Sequence, residues 1–404
     1  MTRVAIFTNN FYPRLSGVSV AVNFLNNAIR GQGYETMIVA PDYGYHRKVK
    51  GIEIFRVKSV YFMPMKMALP LTPLDDDEVL RTMTNWKPDL VHSNHPFLIG
   101  KTAMRVADEL RVPLVYTFHT LYEFFTHYFM LDTDTVRKAV REYIIRYTNR
   151  CDLVIAPTPP IRDYLLSIGV NVPVEAVPTG IDFSRFKKVT PDQVAGLRKR
   201  YELEKFDEVL LSVGRISKEK NVMLSLEALA EMVKQGRNAA LLFLGEGPEI
   251  SALQSRAKDL KVSDRLIFGG FLDQDTLAVA YFLGDVFLFP SLSDTQGIVL
   301  YEAQAAGLPI VATDSMASRA AVHPGKNGYF SDNDPKDLAN KIAQVLDHRK
   351  ELCEPFDTDA FSAETIGKTY DRLYKKCLAE GRRTMESPDA PLTKLFEEIK
   401  SLLS

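Results

Sequence analysis

A chain of 404 residues with 46% apolar side chains is long enough for two or three packed domains and too apolar to be disordered. A formal net charge of −1 gives no overall attraction to nucleic acid, so an anionic partner would have to be met by a local patch. The three cysteines, Cys151, Cys353 and Cys377, are too few and too scattered for a disulfide framework or a zinc cluster, which fits a reducing compartment.

In chain order, "RVAIFTN" at the N-terminus reads as a buried strand rather than a secretion signal, and no apolar run approaches the ~20 residues that span a bilayer. The expected location is therefore cytoplasmic, soluble or peripheral. Further strand-like runs follow: "ETMIVAP", "IEIFRV", "DLVHSNH", "PLVYTFHT", "DLVIAPT" and "VEAVPTG", then "EVLLSVG", "ALLFLGEG", "RLIFGGF", "DVFLFPS" and "PIVATDS". Their apolarity is continuous rather than alternating, as expected of parallel strands covered on both faces. Helical patterns separate them, so each set predicts a doubly wound α/β domain. The breakers Pro178, Gly180 and Pro191 place the linker in "VPTGIDFSRFKKVTPDQ". The expected division is 1–180, 181–365 and 366–404, the last being C-terminal helices that could pack back on the first domain. The final helix, from 391 to 404, carries Leu392, Leu395, Phe396, Ile399, Leu402 and Leu403 on one face and is a candidate for oligomer contacts.

Open α/β sheets bind ligands beyond the carboxyl ends of their strands, so the loops there are the first place to look for chemistry. In "FTNNFYPRLSGVSVAVNF", Ser16, Gly17 and Ser19 stand where a strand-loop passes into a helix, a setting for an anion or simply for a cap and turn. In "SVGRISKEKN", Arg215 and Lys220 could clamp a diphosphate, or form a solvated basic loop with Glu219 as partner. In "SLSDTQGIVLYEAQAAG", the amides of Gly297, Ile298 and Val299 open a helix flanked by Asp294 and Glu302. Carboxylates accept hydrogen bonds from vicinal hydroxyls, so this stretch suits phosphate in the middle and a diol on each side. The alternative is that Asp294 caps the helix and Glu302 only complements its dipole.

Taken together, these features resemble the family-4 glycosyltransferases, retaining enzymes whose fold, GT-B, is α/β with two Rossmann-like doubly wound parallel-sheet domains facing a central cleft. The family's acid pair with seven residues between corresponds to Asp294 and Glu302, with Asp in place of the usual first Glu. The resemblance implies that Asp294 binds donor-sugar hydroxyls, that Glu302 binds the ribose, and that Arg215 and Lys220 hold the diphosphate. It further implies that Gly17 belongs to the glycine loop, that His119 in "YTFHT" stands beside the reacting bond, and that "GGFLD", with Gly270, Phe271 and Leu272, receives the base. "VPTGID" resembles the interdomain motif, with Thr179 in place of Asn. The implied reaction is metal-independent transfer, with retention, of a hexose from a nucleotide-diphosphate sugar (UDP- or GDP-hexose) to an acceptor hydroxyl, with no cofactor beyond that co-substrate.

The acceptor is expected in the N-terminal half, where His92, His95 and Tyr122 are candidates; strand-end histidines such as the first two are more often satisfied core residues than ligand contacts. The apolar stretches 60–72 and 121–130 precede "TVRKAVREYIIRYTNR". Its Val136, Val140, Tyr143, Ile144 and Tyr147 share one face, and Arg137, Lys138, Arg141, Arg146 and Arg150 supply cations. Such a helix suits an anionic membrane surface, or packs on a core with its basic side in water. Within the family, "SDTQG" and "PLVYTFHTLYEFF" look most like bacterial diacylglycerol glucosyltransferases. That implies a membrane lipid acceptor on the inner face of the membrane, with a soluble sugar, sugar phosphate or polyol as the alternative. A nucleotide-sugar 2-epimerase shares the architecture but needs no acceptor. A non-catalytic nucleotide-sugar sensor is a further alternative. An NAD-dependent dehydrogenase would need a GxGxxG with an acid ~20 residues on, and neither half has that pair.

Overall fold

The computed structural model describes residues 1–13, 16–44, 51–62, 67–70, 72–129, 133–352 and 354–383. The chain divides into two compact units, one of residues 1–180 together with the chain from Ala363, the other Ile181–Ser362. The second boundary falls at the start of a helix rather than three residues into it, because that helix is one piece of the first unit's core.

The first unit holds strands β1 (Arg3–Phe7), β2 (Glu35–Pro41), β3 (Glu53–Val57), β4 (Ser59–Phe62), β5 (Met67–Pro70), β6 (Leu90–Ser93), β7 (Leu114–Thr117), β8 (Leu153–Ala156) and β9 (Val174–Ala176). Between them run helices α1 (Gly17–Gly31), α2 (Thr72–Trp86), α3 (Ile99–Leu110), α4 (Asp134–Asn149) and α5 (Pro159–Ser167). Seven strands form one sheet in the order β3-β2-β1-β6-β7-β8-β9, with every pairing parallel. Strands β6, β7 and β8 are buried at all four positions, which is what their unbroken apolar runs require. The stretch 60–72, expected as an apolar loop, instead contributes β4 and β5, which pair antiparallel.

The second unit holds β10 (Glu208–Val213), β11 (Ala239–Leu244), β12 (Leu266–Gly270), β13 (Val286–Phe289), β14 (Ile310–Thr313) and β15 (Gly328–Ser331). Its helices are α6 (Pro191–Arg200), α7 (Val222–Lys234), α8 (Ile250–Asp259), α9 (Gln274–Tyr281), α10 (Ile298–Ala305), α11 (Met316–Ala321) and α12 (Pro335–Asp347). The sheet order is β12-β11-β10-β13-β14-β15, again with parallel pairing. Pro191 opens α6 rather than merely breaking the chain: Thr190 and Gln193 form a capping box around it, and the ring needs no hydrogen bond at that position.

Helix α13 (Ala363–Glu380) returns to the first unit. Ile366, Tyr370, Leu373, Tyr374 and Cys377 recur at helical spacing and are all buried in one core with Val22, Leu25 and Ile29 of α1. The approach is close at Gly367, where a Cβ would come within 2.7 Å of the Ala28 carbonyl. Past the helix, Arg382, 7% exposed, donates to Asp108 at 2.6 Å and to Asp152 at 2.8 Å, and so fastens the end of α13. No helix among the described residues is long and apolar enough to cross a membrane. The final helix expected at 391–404, and with it the oligomer contact, lies outside the described residues, as does Cys353.

Candidate active site

The strand order of the second unit reverses between β10 and β13, so the loops leaving those two strands part at the topological switch point. The loop after β10 carries Arg215 and Lys220; the loop after β13 carries Asp294 and Gly297. The structure joins them: Lys220 Nζ lies 2.5 Å from Asp294 Oδ1, with side-chain exposures of 30% and 19%. Ser293 Oγ donates to the Glu219 carbonyl at 3.1 Å and Asn221 Nδ2 to the Pro290 carbonyl at 3.2 Å, so the two loops are also stitched through their backbones. Glu219, the alternative partner for the basic loop, accepts from Ser217 Oγ at 2.7 Å. Asp294 does not cap α10; the N-cap is Gly297, at φ 64°, and no side chain caps it. A Cβ at Gly297 would meet the Phe289 ring at 2.9 Å, so this turn needs glycine on conformation and on space.

The second oxygen of Asp294, Oδ2, is buried without a hydrogen-bond partner. A buried carboxylate oxygen of that kind is costly unless a ligand satisfies it, and a sugar hydroxyl would. Beyond it the first amides of α10, including those of Ile298 and Val299, have no intrahelical acceptor, and their end of the helix favours an anion. Glu302 has a different partner: Tyr281 donates its hydroxyl to Oε2 at 2.6 Å. Burial raises the Glu302 carboxyl above the ordinary range, opposed by that bond and by Arg185. Arg215 is exposed. At the end of β12 the Gly270 carbonyl accepts from the Gly245 amide at 2.8 Å, and Phe271, 64% exposed, and Leu272 follow it.

In the first unit the sheet order reverses between β1 and β6. His119, just past β7, sends Nε2 to Asn94 Oδ1 at 2.9 Å, and burial lowers its pKa to about 4. His119 lines a pocket with Asn94, Thr117, Phe24, Thr179 and Tyr370. His95 accepts the Asn9 amide on Nδ1 at 3.1 Å and is lowered to about 3 by burial and by His119. Gly17, exposed, is the first residue of α1; Ser16 and Ser19 cap that helix reciprocally, and a Cβ at Gly17 would meet nothing within 4 Å.

One acceptor-side expectation, His92, needs correction. His92 is fully buried: Nδ1 meets Tyr374 Oη at 2.6 Å and Nε2 meets Thr117 Oγ1 at 2.7 Å, so neither nitrogen is left for an acceptor. It is a core histidine that ties β6 and β7 to α13. Tyr122 packs its ring edge-on against Phe97, centroids 5.1 Å apart, and Phe97 stacks on Tyr143; the ring belongs to an aromatic cluster under α4. The apolar face of α4 is likewise spent on the core, since Tyr143, Ile144 and Tyr147 are buried. Its cations Arg137, Lys138, Arg141 and Arg146 face outward, and Arg141 pairs with Glu123 at 2.7 Å.

Sequence reasoning passed over Asn94, Asn221 and Tyr281. Asn94 stands two residues from His92 in a stretch that was read, but its importance depends on partners far away in the chain.

Comparison with known proteins identifies the family. Residues 15–185 match Glycosyltransferase Family 4 and residues 195–361 match Glycosyl transferases group 1. An alpha-monoglucosyldiacylglycerol synthase of Streptococcus pneumoniae is 26% identical over 98% of this chain and 91% of that protein; one from Acholeplasma laidlawii is 28% identical over 93% and 95%. A GDP-mannose-dependent alpha-mannosyltransferase of Mycobacterium tuberculosis is 30% identical over 81% and 83%. Among solved structures, a sucrose-phosphate synthase from Thermosynechococcus elongatus superposes with a TM-score of 0.76 at 19% identity, covering 94% of this chain and all of that one. HepE of Anabaena, in complex with UDP and glucose, gives 0.74 at 17% identity, covering 93% and 100%. With two parallel-sheet α/β domains, each matched by its own part of the family, the chain belongs to the family-4 glycosyltransferases and has the GT-B fold.

Proposed function

We propose that the protein transfers glucose from a nucleotide-diphosphate sugar to the free hydroxyl of diacylglycerol, with retention and without a metal ion. The observation that carries the donor half is the Lys220–Asp294 pair at the second unit's switch point, a cation and a half-satisfied carboxylate at one helix start. The lipid acceptor is supported by the activity for which the two monoglucosyldiacylglycerol synthases are named, both of which align over nearly the whole chain. The nucleotide base is taken as uracil on the HepE complexes with UDP.

As the glycosidic bond to the diphosphate breaks, negative charge grows on the departing phosphate. Lys220, Arg215 and the amides opening α10 stabilise it, which is the work a metal ion does elsewhere. Asp294 holds donor-sugar hydroxyls through the oxygen the protein leaves unsatisfied, and Glu302 takes the ribose diol. The departing phosphate accepts the acceptor's proton on the face it leaves, so the configuration is retained. The exposed cations of α4 hold the enzyme at the cytoplasmic face of an anionic membrane.

The test is a donor-by-acceptor matrix. UDP-glucose and GDP-mannose are each offered with diacylglycerol in mixed micelles and with inositol phosphate in solution, with and without EDTA. Lipid-linked α-glucose formed in EDTA is the expected product. Mannose transfer would move the protein toward the mannosyltransferase relatives, and turnover of the soluble acceptor alone would replace the lipid reading. Donor consumption with no acceptor would favour epimerisation.

A further inference from the structure

The two acids that flank the start of α10 are held in different ways. Asp294 faces the cation of Lys220. Glu302 faces a phenol: Tyr281 donates to Oε2 at 2.6 Å, and the carboxylate has no second hydrogen bond among the described residues. The cation that acts on Glu302 through space, Arg185, is turned to carboxylates of its own, Asp275 at 3.0 Å and Asp182 at 3.7 Å. Oε1 is thus left for another donor, and unlike Asp294 Oδ2 it is not sealed from solvent. The Tyr281 ring, fully buried at the end of α9, packs on Phe186 of the 3-10 helix Phe183–Lys188 and on Phe287 of β13, with centroids 5.7 and 5.9 Å away. Contacts from two separate elements fix the hydroxyl in place. Glu302 is the longer and more adaptable side chain, so the bond places the acid rather than the phenol.

We infer that Tyr281 is a positioning residue for Glu302, pinning Oε2 so that Oε1 is presented to the ribose hydroxyls of the nucleotide. The inference rests on the proposed reading of Glu302 as the ribose acceptor, and it names the group that sets that acceptor's orientation. A neutral donor suits the task. A lysine or arginine in the same place would neutralise the carboxylate and compete with ligand hydroxyls for it. A phenol fixes the geometry and leaves the charge, so that each hydroxyl bond to Oε1 is charge-assisted. The hydroxyl keeps its proton, because burial and the neighbouring carboxylate both raise the Tyr281 pKa well above its ordinary value. Chain order adds a second link. Helix α9 opens at Asp273, whose carboxylate accepts from the Asp275 and Thr276 amides, directly after the Gly270–Leu272 loop read as the base site. One short helix therefore runs from that loop to the hydroxyl that holds the ribose acid, and it sets the two contacts of a nucleoside in one register.

The experiment is calorimetric titration of the full-length protein with UDP or GDP, whichever wild type binds more tightly, with the dideoxyribose analogue of that nucleotide, and with inorganic diphosphate. Tyr281→Phe keeps the ring and its packing on Phe186 and Phe287 and removes only the donor. It should weaken the ribonucleotide about threefold to tenfold, the worth of one hydrogen bond, and leave the dideoxy analogue and diphosphate at their wild-type affinities. In a Glu302→Ala background the same substitution should change no affinity, because no carboxylate is left to place. An equal loss for all three ligands makes Tyr281 a purely structural residue and overturns the inference. Should Tyr281→Phe fail to fold on its own, Glu302→Ala is compared with the double variant: equal affinities uphold the inference, and a further ribose-dependent loss overturns it. If wild type and Tyr281→Phe prefer the ribonucleotide equally while Glu302→Ala has no preference, the ribose reading stands and the role of Tyr281 is lost. If wild type itself binds the ribonucleotide and the dideoxy analogue alike, the ribose reading fails and the inference falls with it.

Discussion

Lys220 Nζ and Asp294 Oδ1, 2.5 Å apart, close the switch point of the second unit with an ion pair; under the proposed function an incoming diphosphate must share or break it. Both side chains are partly buried, so each charge offsets the desolvation of the other. Lys220→Ala removes the clamp and should lower transfer by about 2.7–4 kcal/mol of transition-state stabilisation, by analogy with loss of an oxyanion donor. A rate constant near that of wild type would take Lys220 out of the clamp. Asp294→Asn should do two opposite things. It frees Lys220 from its competing carboxylate, so UDP should bind more tightly by a factor of a few in calorimetry, while turnover falls because the sugar loses an acceptor. Weaker UDP binding in that variant would mean that the pair organises the site rather than competing with the phosphate.

Glu302, assigned to the ribose under the proposed function, costs stability. Its carboxyl is raised by burial, so in the ionised form it favours the unfolded chain: its unfavourable contribution is absent below the ordinary carboxyl pKa and grows as pH rises through that range. Glu302→Gln keeps an acceptor for Tyr281 and sheds the charge. We expect a melting temperature at neutral pH at least equal to wild type, together with weaker binding of ribonucleotide donors than of their deoxyribose analogues relative to wild type. Equal losses for the two sugars would exclude the ribose role.

How much of this was legible in the sequence follows from where each signal is encoded. The Asp294–Glu302 stretch and the Arg215–Lys220 loop were readable because polar groups and a glycine interrupt apolar runs at strand ends. Strand β15, "GYFS", was not, since a half-buried edge strand of four residues with a glycine start has no apolar run to show. The β4–β5 hairpin was hidden by a proline between its strands, which read as a loop. For His92 the sequence offered both an acceptor contact and a core histidine, and the partner that decides for the core was hidden for a deeper reason. Both faces of a central parallel strand are covered, and the partner that seals His92, Tyr374, lies 282 residues away on a helix that returns from the far end of the chain. Asn94 was missed in the same way, because the Phe7 carbonyl and His119 become its neighbours only when β1, β6 and β7 align.

Three histidines with depressed pKa values give the fold an acid limit. His92 and His95 are lowered to about 3 and His119 to about 4, mainly by burial. The folded state then binds fewer protons than the unfolded one between those values and about 6.5. Stability from these groups is complete above about pH 6.5 and declines as pH falls toward 4, by up to ~1.4 kcal/mol per pH unit for each histidine. His92→Asn removes one titrating ring. In urea unfolding at several pH values, the stability advantage of wild type over the variant should shrink between pH 7 and pH 5. A gap that stays constant across that range would show that His92 does not titrate on unfolding.

The basic helix α4 decides the membrane reading, and the structure alters which residues test it. Its apolar side is buried, so lipid cannot be met through Tyr143 or Tyr147, and any attraction is electrostatic. Arg141 is a poor target, because its removal takes the cation from Glu123, whose side chain is 11% exposed and which also accepts from the Tyr164 hydroxyl at 2.8 Å. Arg137 and Arg146 pair loosely at the surface, with Asp134 at 3.4 Å and Glu142 at 3.9 Å, and Lys138 is exposed beside them. Surface pairs of that kind contribute little to stability, so replacing Arg137, Lys138 and Arg146 by Ser should leave the melting temperature and UDP affinity in place. Each cation engaged at an anionic surface is worth roughly 1 kcal/mol, so the triple variant should lose on the order of 3 kcal/mol of binding to vesicles rich in phosphatidylglycerol at low salt. Binding by wild type should weaken as salt shortens the screening length. If the triple variant binds such vesicles as well as wild type and glucosylates diacylglycerol at the same rate in them, α4 is not the membrane contact. If wild type itself ignores anionic vesicles at low salt and turns over only soluble acceptors, the lipid acceptor is excluded.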